Sequence, residues 1–282
     1  MTEMIRHILG HAPLVLDSPH SGTHYPDDFR HACELALLRR AEDTHVEKLY
    51  DFAPSLGVHW VEAFFPRSYV DANRDLSEID ASLLDGPWPG PQPQTPTEWA
   101  KVRLGKGLIW RLTDEGLPLY DRTLSVAEVQ QRLARCWQPY HQAVAQAIDA
   151  AHAQHGYSLH LNCHSMPAVA GSHATNEPGL VHADFVVGNR DHSSSSPALA
   201  ELVCHELQRA GYSVWLNHPY KGVELVRRYS QPEQHRHSLQ LEINRKLYMD
   251  ERTLALHDGF HTLKSHLQGL VQLLLATDPR QL

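Results

Sequence analysis

The sequence predicts an α/β fold, a single domain with a central mixed, mostly parallel sheet flanked by helices on both faces. Two observations carry this expectation. Short, nearly continuous apolar runs alternate with helical patterns along the 282 residues, which is how strands buried on both sides and joined by helices read. No composition shift or repeat marks a linker, so one domain is expected to span residues 1–282. Leu14–Asp17 (LVLD) is a strand feeding the turn-prone loop SPHSGTHYP. Residues 33–52 carry apolar residues at mixed helical spacing, with Glu42 and Asp43 in the middle. Val58–Phe65 is β-branched and aromatic, hence a strand. Residues 85–98 hold five of the eighteen prolines, which predicts an irregular surface loop or lid. At Ser125 the capping box S-V-A-E opens a helix that runs to about Ala151 before Gly156 stops it. Ser158–Cys163, Asp184–Gly188, Tyr212–Leu216 and Ser238–Ile243 read as strands, and Pro197–Ala210 and His257–Ala276 as helices.

Composition narrows the function. With 25 Lys and Arg against 33 Asp and Glu, the formal charge is −8, without the basic footprint of a nucleic-acid binder. The four cysteines are scattered and read as reduced thiols rather than a disulfide or zinc-ribbon framework. The first residues lack the clean apolar stretch of a signal peptide, and no run is long enough to span a membrane. A soluble, cytoplasmic protein is expected. Histidine, at 22 residues, is unusually frequent, which favours metal or acid–base chemistry.

Two apolar strands end in a loop with a histidine: LVLDSPH at His20 and LHLNCH at His164. Ligands of open α/β sheets bind beyond the carboxyl ends of strands, where these two side chains can meet. Glu42 or Asp43 can add a carboxylate, completing the two-histidine, one-carboxylate set of a catalytic zinc site. Histidines at strand ends are also common as plain surface residues. Glu242, among apolar neighbours in SLQLEINR, is costly to bury unless used or paired. It reads either as a general base or as half of a buried salt bridge, for instance with Arg245. In PRSYVDANRD, Asp71, Asn73 and Arg74, with Arg67 upstream, form either an arginine clamp for an acidic substrate or a solvated loop. Arg190, Lys221 and Arg245 can add positive charge there. No G-x-S-x-G elbow, phosphate-binding loop, G-x-G-x-x-G or H-E-x-x-H is present. Cys163 suits a small buried hydrophobe better than a nucleophile.

The stretches DSPHSGTHYP, EDTHVEKLYDF, PRSYVDANRDLSEID, NCHSMP, ADFVVGNRDHSS, NHPYKG and LQLEINRKLYM run in order from about residue 13 to 249. Together they resemble the N-formylglutamate amidohydrolase family of histidine degradation, which is similar to zinc carboxypeptidase-like hydrolases. The resemblance implies one zinc ion, or another divalent metal, held by His20 and His164, with Glu242 as base. It implies that the D-x-N-R segment Asp71–Arg74 helps hold the substrate. Where such hydrolases often place a carboxylate ligand three residues after the first histidine, this chain has Thr23. The carboxylate is then expected farther on, at Asp43, with Glu42 in reserve and His24 and His45 as further ligands. The implied activity is hydrolysis of N-formyl-L-glutamate to formate and L-glutamate, on a small anionic N-acyl amino acid, without nucleic acid or membrane. A zinc amidase for another N-acyl amino acid or a small peptide is the second reading. A catalytically silent binding protein for an acidic metabolite is the third. Oligomeric state is left open.

Overall fold

Apolar residues alternating with polar ones along a strand make a sheet with two different buried faces. The computed structural model, which describes residues 3–171 and 177–282, contains such a sheet of seven strands. They are β1 (Ile5–Ile8), β2 (Leu14–Ser18), β3 (His59–Ala63), β4 (Ser158–Met166), β5 (Phe185–Gly188), β6 (Val214–Leu216) and β7 (Arg236–Asn244). Their order is β1-β3-β2-β4-β7-β5-β6. The central four, β3, β2, β4 and β7, are parallel. At one edge β1 pairs antiparallel with β3; at the other, the parallel pair β5 and β6 runs antiparallel to β7. The helices are α1 (Leu35–Arg40), α2 (Val46–Leu49), α3 (Pro96–Arg103), α4 (Val126–Arg132), α5 (Gln138–His155), α6 (Pro197–Arg209), α7 (Glu224–Arg228) and α8 (Gly259–Leu275). None of them is long and apolar enough to cross a membrane.

Because strand side chains alternate, Leu159, Leu161 and Cys163 of β4 and Leu239, Leu241 and Ile243 of β7 enter one apolar cluster. The inner faces of α6 and α8 complete it. Phe260, Leu263, Leu267, Leu270, Val271 and Leu274 give α8 its buried stripe. The opposite phase puts His160, Asn162 and His164, and Ser238, Gln240 and Glu242, on the other face, all buried. There α5 packs Ala143, Val144, Ala147 and Ile148 against Val15 and Val61.

Three segments depart from the expected pattern. Residues 33–52 form not one helix but α1 and α2, separated by a turn. In that turn the Asp43 N–H donates to the His20 carbonyl (3.0 Å), and His45 takes a left-handed φ of 69°. The Pro-rich stretch is irregular only to residue 95, because α3 begins at Pro96. Thr95 Oγ1 accepts from the Glu98 N–H (3.3 Å) and Glu98 Oε2 from the Thr95 N–H (3.0 Å), a full capping box. At Ser125 only half of the expected box forms. Ser125 Oγ accepts from the Glu128 N–H (3.0 Å), while the Glu128 carboxylate takes Arg122 and Arg132. Between α4 and α5 the helix widens to a π turn over Leu133–Trp137, just before Pro139, which has no N–H to give.

The loop after β2 is clamped to the end of β3. The His24 N–H donates to the Phe64 carbonyl (2.8 Å), and a Cβ on Gly22 would sit 2.4 Å from the Phe65 carbonyl oxygen. Gly22→Ala must therefore shift backbone against backbone. It should lower stability by about 1–3 kcal/mol, the usual range for overpacking, measured by urea unfolding. An unchanged midpoint would mean that the loop moves freely.

Candidate active site

Parallel pairing brings the carboxyl ends of β2 and β4 to the same edge of the sheet, so His20 and His164 meet there. Their Nδ1 atoms are 3.1 Å apart. Asp43 Oδ2, placed by the turn between α1 and α2, lies 2.8 Å from His164 Nδ1 and 3.4 Å from His20 Nδ1. All three residues are buried, and they form the one such group of potential metal ligands among the described residues. The outer nitrogens explain the arrangement. His20 Nε2 is 2.7 Å from Asp71 Oδ1, and His164 Nε2 is 2.7 Å from Asn162 Oδ1. Both of these nearest partners are acceptors, with Asn73 Nδ2 standing 3.0 Å from His164 Nε2 as well; a proton on each Nε2, donated to the nearer acceptor, turns both Nδ1 lone pairs inward. Three acceptors aimed at one point repel unless a cation lies between them. The donor set therefore suits a metal ion such as zinc.

Asp43 is anchored from behind. Its Oδ1 accepts from Arg245 Nη2 (3.2 Å), and Arg245 is itself fixed on Ser165 Oγ (3.0 Å) and the Arg40 carbonyl (2.9 Å). Burial alone would raise the Asp43 carboxyl. Its contacts with His164 and His20 and the charge of Arg67 outweigh that and hold it well below the usual carboxylate range. Glu42 is occupied elsewhere, accepting from Tyr25 Oη and from Arg39 Nε (2.7 Å). His24 lines a separate depression beside Glu47 and Glu62, and His45 Nε2 donates to the Leu254 carbonyl (2.9 Å). Neither joins the group.

Glu242 stands directly across the β4–β7 ladder from His164. Its Oε1 accepts from Gln240 Nε2 (2.8 Å). Burial, and then the nearby Asp43 carboxylate, push its carboxyl up to about 8, against the pull of Arg67 and Arg245. A carboxyl poised to exchange protons near neutrality is suited to acid–base work.

Above the group opens a cavity of about 360 Å³. Six cations line it, Arg40, Arg67, Arg74, Lys101, Lys106 and Arg245, against Asp43, Asp114, Glu242 and Glu251. Arg67 donates to Asp71 Oδ2 (3.2 Å) and lies over the Trp110 ring at 5.1 Å. Arg74 is steered by the Lys106 and Asn73 carbonyls (3.1 Å each), with its nearest carboxylate, Glu78, at 3.8 Å. Asn73 is pinned by the Leu225 N–H on its Oδ1 (2.9 Å), and its Nδ2 lies between His164 Nε2 (3.0 Å) and Asn162 Oδ1 (3.3 Å).

Two expected contributors do not line this cavity. Arg190 Nη1 donates to the Gly222 carbonyl (2.9 Å), and the exposed Lys221 pairs with Asp191 (2.7 Å). Arg190 lies in the turn after β5 and Lys221 in the loop after β6. Lys101 and Tyr220 line the cavity without having been singled out in the sequence. For Lys101 a signal existed: the T-P-T-E capping box that starts α3. Burial, then the charges of Arg74 and Arg67, push its ammonium down to about 7.

Fold and site together define an α/β protein with a three-donor, metal-competent centre at the carboxyl edge of its parallel strands, beneath a cation-rich cavity. The sequence profile of the family "N-formylglutamate amidohydrolase" matches residues 12–249, and the chain belongs to that family. An N-formylglutamate deformylase of Pseudomonas aeruginosa is 33% identical over 89% of this chain and 88% of its own. One from Pseudomonas putida is 32% identical over 86% and 84%. The crystal structure of N-formylglutamate amidohydrolase from Ralstonia eutropha JMP134 superposes with a TM-score of 0.92 at 43% identity, covering 100% of both chains. A gene product of Agrobacterium tumefaciens shares the fold at 16% identity, with a TM-score of 0.67 over 98% and 96% of the chains.

The raised Glu242 carboxyl has a consequence for stability. A group whose folded pKa lies above its unfolded value, near 4.3, stabilises the fold fully only below that value. The contribution is lost as pH rises through about 8. In metal-free protein, Glu242→Gln should therefore gain stability over wild type as pH increases. The gap should widen steadily from pH 5 to pH 9, toward a ceiling of about 5 kcal/mol by linkage, read by urea unfolding. A gap independent of pH would mean that the buried carboxylate is already accommodated.

Proposed function

We propose that this chain hydrolyses N-formyl-L-glutamate to formate and L-glutamate, with one zinc ion held by His20, Asp43 and His164. The observation that carries the proposal is the inward convergence of two imidazole lone pairs and a carboxylate oxygen beside Glu242. When bound, the metal would polarise the formyl carbonyl and lower the pKa of water from 15.7 to about 7. Glu242 takes a proton from the attacking water at its carboxylate and returns it to the departing amine nitrogen. Asp71 holds the His20 ring and Arg245 holds Asp43, so the donors do not have to reorganise during turnover. A formyl group offers little to bind, so most of the substrate's affinity must come from its two carboxylates. The cations of the cavity supply that. On this reading Arg74 clamps a carboxylate, and Arg67, Asn73 and Lys101 line the cavity with it. The same proposal places the reaction in the cytoplasm, at the last step of a histidine degradation route, in keeping with four free cysteines.

The test is a hydrolysis assay with N-formyl-Glu, N-formyl-Asp and N-acetyl-Glu, with and without chelator, alongside zinc analysis. N-formyl-Glu should be the preferred substrate, chelation should abolish turnover, and zinc should restore it. Glu242→Gln should keep its zinc and lose about 10²–10⁴ in kcat, the usual worth of general acid–base catalysis. Full activity in protein verified free of metal would sink the proposal.

Lysine cannot reproduce the planar fork of arginine. Arg74→Lys should reduce kcat/KM for N-formyl-glutamate by well over tenfold, about what losing one partner of a buried ion pair costs. An N-formyl amino acid amide with an uncharged side chain should be affected far less. Equal losses on both substrates would take Arg74 out of carboxylate recognition.

A further inference from the structure

The two imidazoles of the site are held by unequal partners. His20 Nε2 meets a carboxylate directly, on Asp71 (2.7 Å). His164 Nε2 meets an amide oxygen, that of Asn162 (2.7 Å), and a carboxylate stands behind the amide. Asn162 Nδ2 donates to Asp17 Oδ1 (2.9 Å), the two residues facing each other across the β2–β4 ladder. Asp17 is completely buried and is one of the most heavily bonded groups in the core. It also takes His160 Nε2 on Oδ1 (2.8 Å) and Tyr140 Oη on Oδ2 (2.7 Å). These contacts give the chain a direction. An ionised carboxylate only accepts, so the NH₂ end of Asn162 must turn toward Asp17 and its oxygen toward His164. Two polar atoms stand at His164 Nε2, the Asn162 oxygen at 2.7 Å and Asn73 Nδ2 at 3.0 Å; donation to the nearer oxygen leaves the Nδ1 lone pair facing Asp43 and His20.

We infer that Asp17 and Asn162 are positioning residues for His164: together they set its tautomer and, through the amide, lend it the basicity that Asp71 lends His20 directly. This rests on the proposed metal site. It extends it inward by two residues that touch neither metal nor substrate. His160, packed on Asp17 Oδ1 and bonded through Nδ1 to Ser238 Oγ (3.1 Å), keeps the carboxylate from turning.

The test is a double-mutant cycle on zinc affinity, measured by competition with a chromophoric chelator. It uses wild type, Asp17→Asn, Asn162→Leu and the double variant, with folding checked by urea unfolding. Asn162→Leu should weaken zinc binding by about 10–100-fold, as expected when a ligand's outer partner is lost. Asp17→Asn should weaken it by about threefold or more in the wild-type background and have no effect in the Asn162→Leu background, because the relay is already cut. A merely structural Asp17 would act equally in both backgrounds, and that result, or no effect in either, overturns the relay while leaving the metal site standing. Failure of the wild type itself to bind zinc overturns both. If Asp17→Asn does not fold, imidazole ¹⁵N NMR of the wild type decides the matter. A proton on His164 Nε2 with and without zinc supports the relay, and a bare Nε2 overturns it.

Discussion

Two imidazole nitrogens that both carry lone pairs repel when pressed together in a dry place, and His20 and His164 are held with their Nδ1 atoms 3.1 Å apart. Nothing about either histidine alone produces this. It follows from how their outer nitrogens are held: Asp71 on one side and Asn162 on the other, nearer than Asn73 Nδ2 at 3.0 Å, are buried acceptors facing the two Nε2 atoms. Asp43 then adds a charged oxygen to the same point instead of relieving it. In a low-dielectric setting such an arrangement is expensive unless a cation completes it. The surrounding fold is arranged so that the donors cannot escape: Arg245 grips Asp43, and the loop carrying His20 is wedged against the end of β3 at Gly22.

The sheet makes this possible by keeping its two faces chemically separate. On the α6–α8 side, β4 and β7 present chiefly leucine, isoleucine and cysteine, and those contacts bear the cost of folding. On the α5 side the same strands carry His160, Asn162, His164, Gln240 and Glu242, and the polar groups largely satisfy one another. Asp17, Tyr140, His160 and Asn162 form one connected network. Such a network is tolerable in a core only when its members are bonded, and it rigidifies what it touches. The cavity above has the opposite bias. Its excess of cations over carboxylates makes it receptive to a small dianion although the chain as a whole is acidic.

Much of this was legible in the sequence, for a simple reason. Strand alternation is local, so LHLNCH and SLQLEI disclosed both the strands and the side chains they project, and His20, His164 and Glu242 could be singled out. The choice between Glu42 and Asp43 could not be made from neighbouring letters. It depends on a chain reversal held by a backbone bond from Asp43 to His20 and a left-handed His45, neither of which leaves a compositional trace. The short, half-polar β1 (IRHI) exists because β3 offers it an edge, so it has no signal of its own. Arg190 and Lys221 sit in motifs close in sequence to site elements, yet the turn after β5 and the loop after β6 direct them to Gly222 and Asp191 instead of the cavity. Asp17, by contrast, looked like an ordinary strand-end residue. Its importance lies in what three other residues do with it.

The central claim is that two imidazole nitrogens and one carboxylate, and no sulfur, hold a single metal ion. Zinc K-edge absorption spectroscopy of the loaded protein tests it most directly. The account predicts one zinc per chain with nitrogen and oxygen ligands at about 2.0–2.2 Å, outer-shell scattering from two imidazoles, and one imidazole fewer in His164→Ala. A sulfur shell near 2.3 Å, or a spectrum with no imidazole scattering, would contradict it.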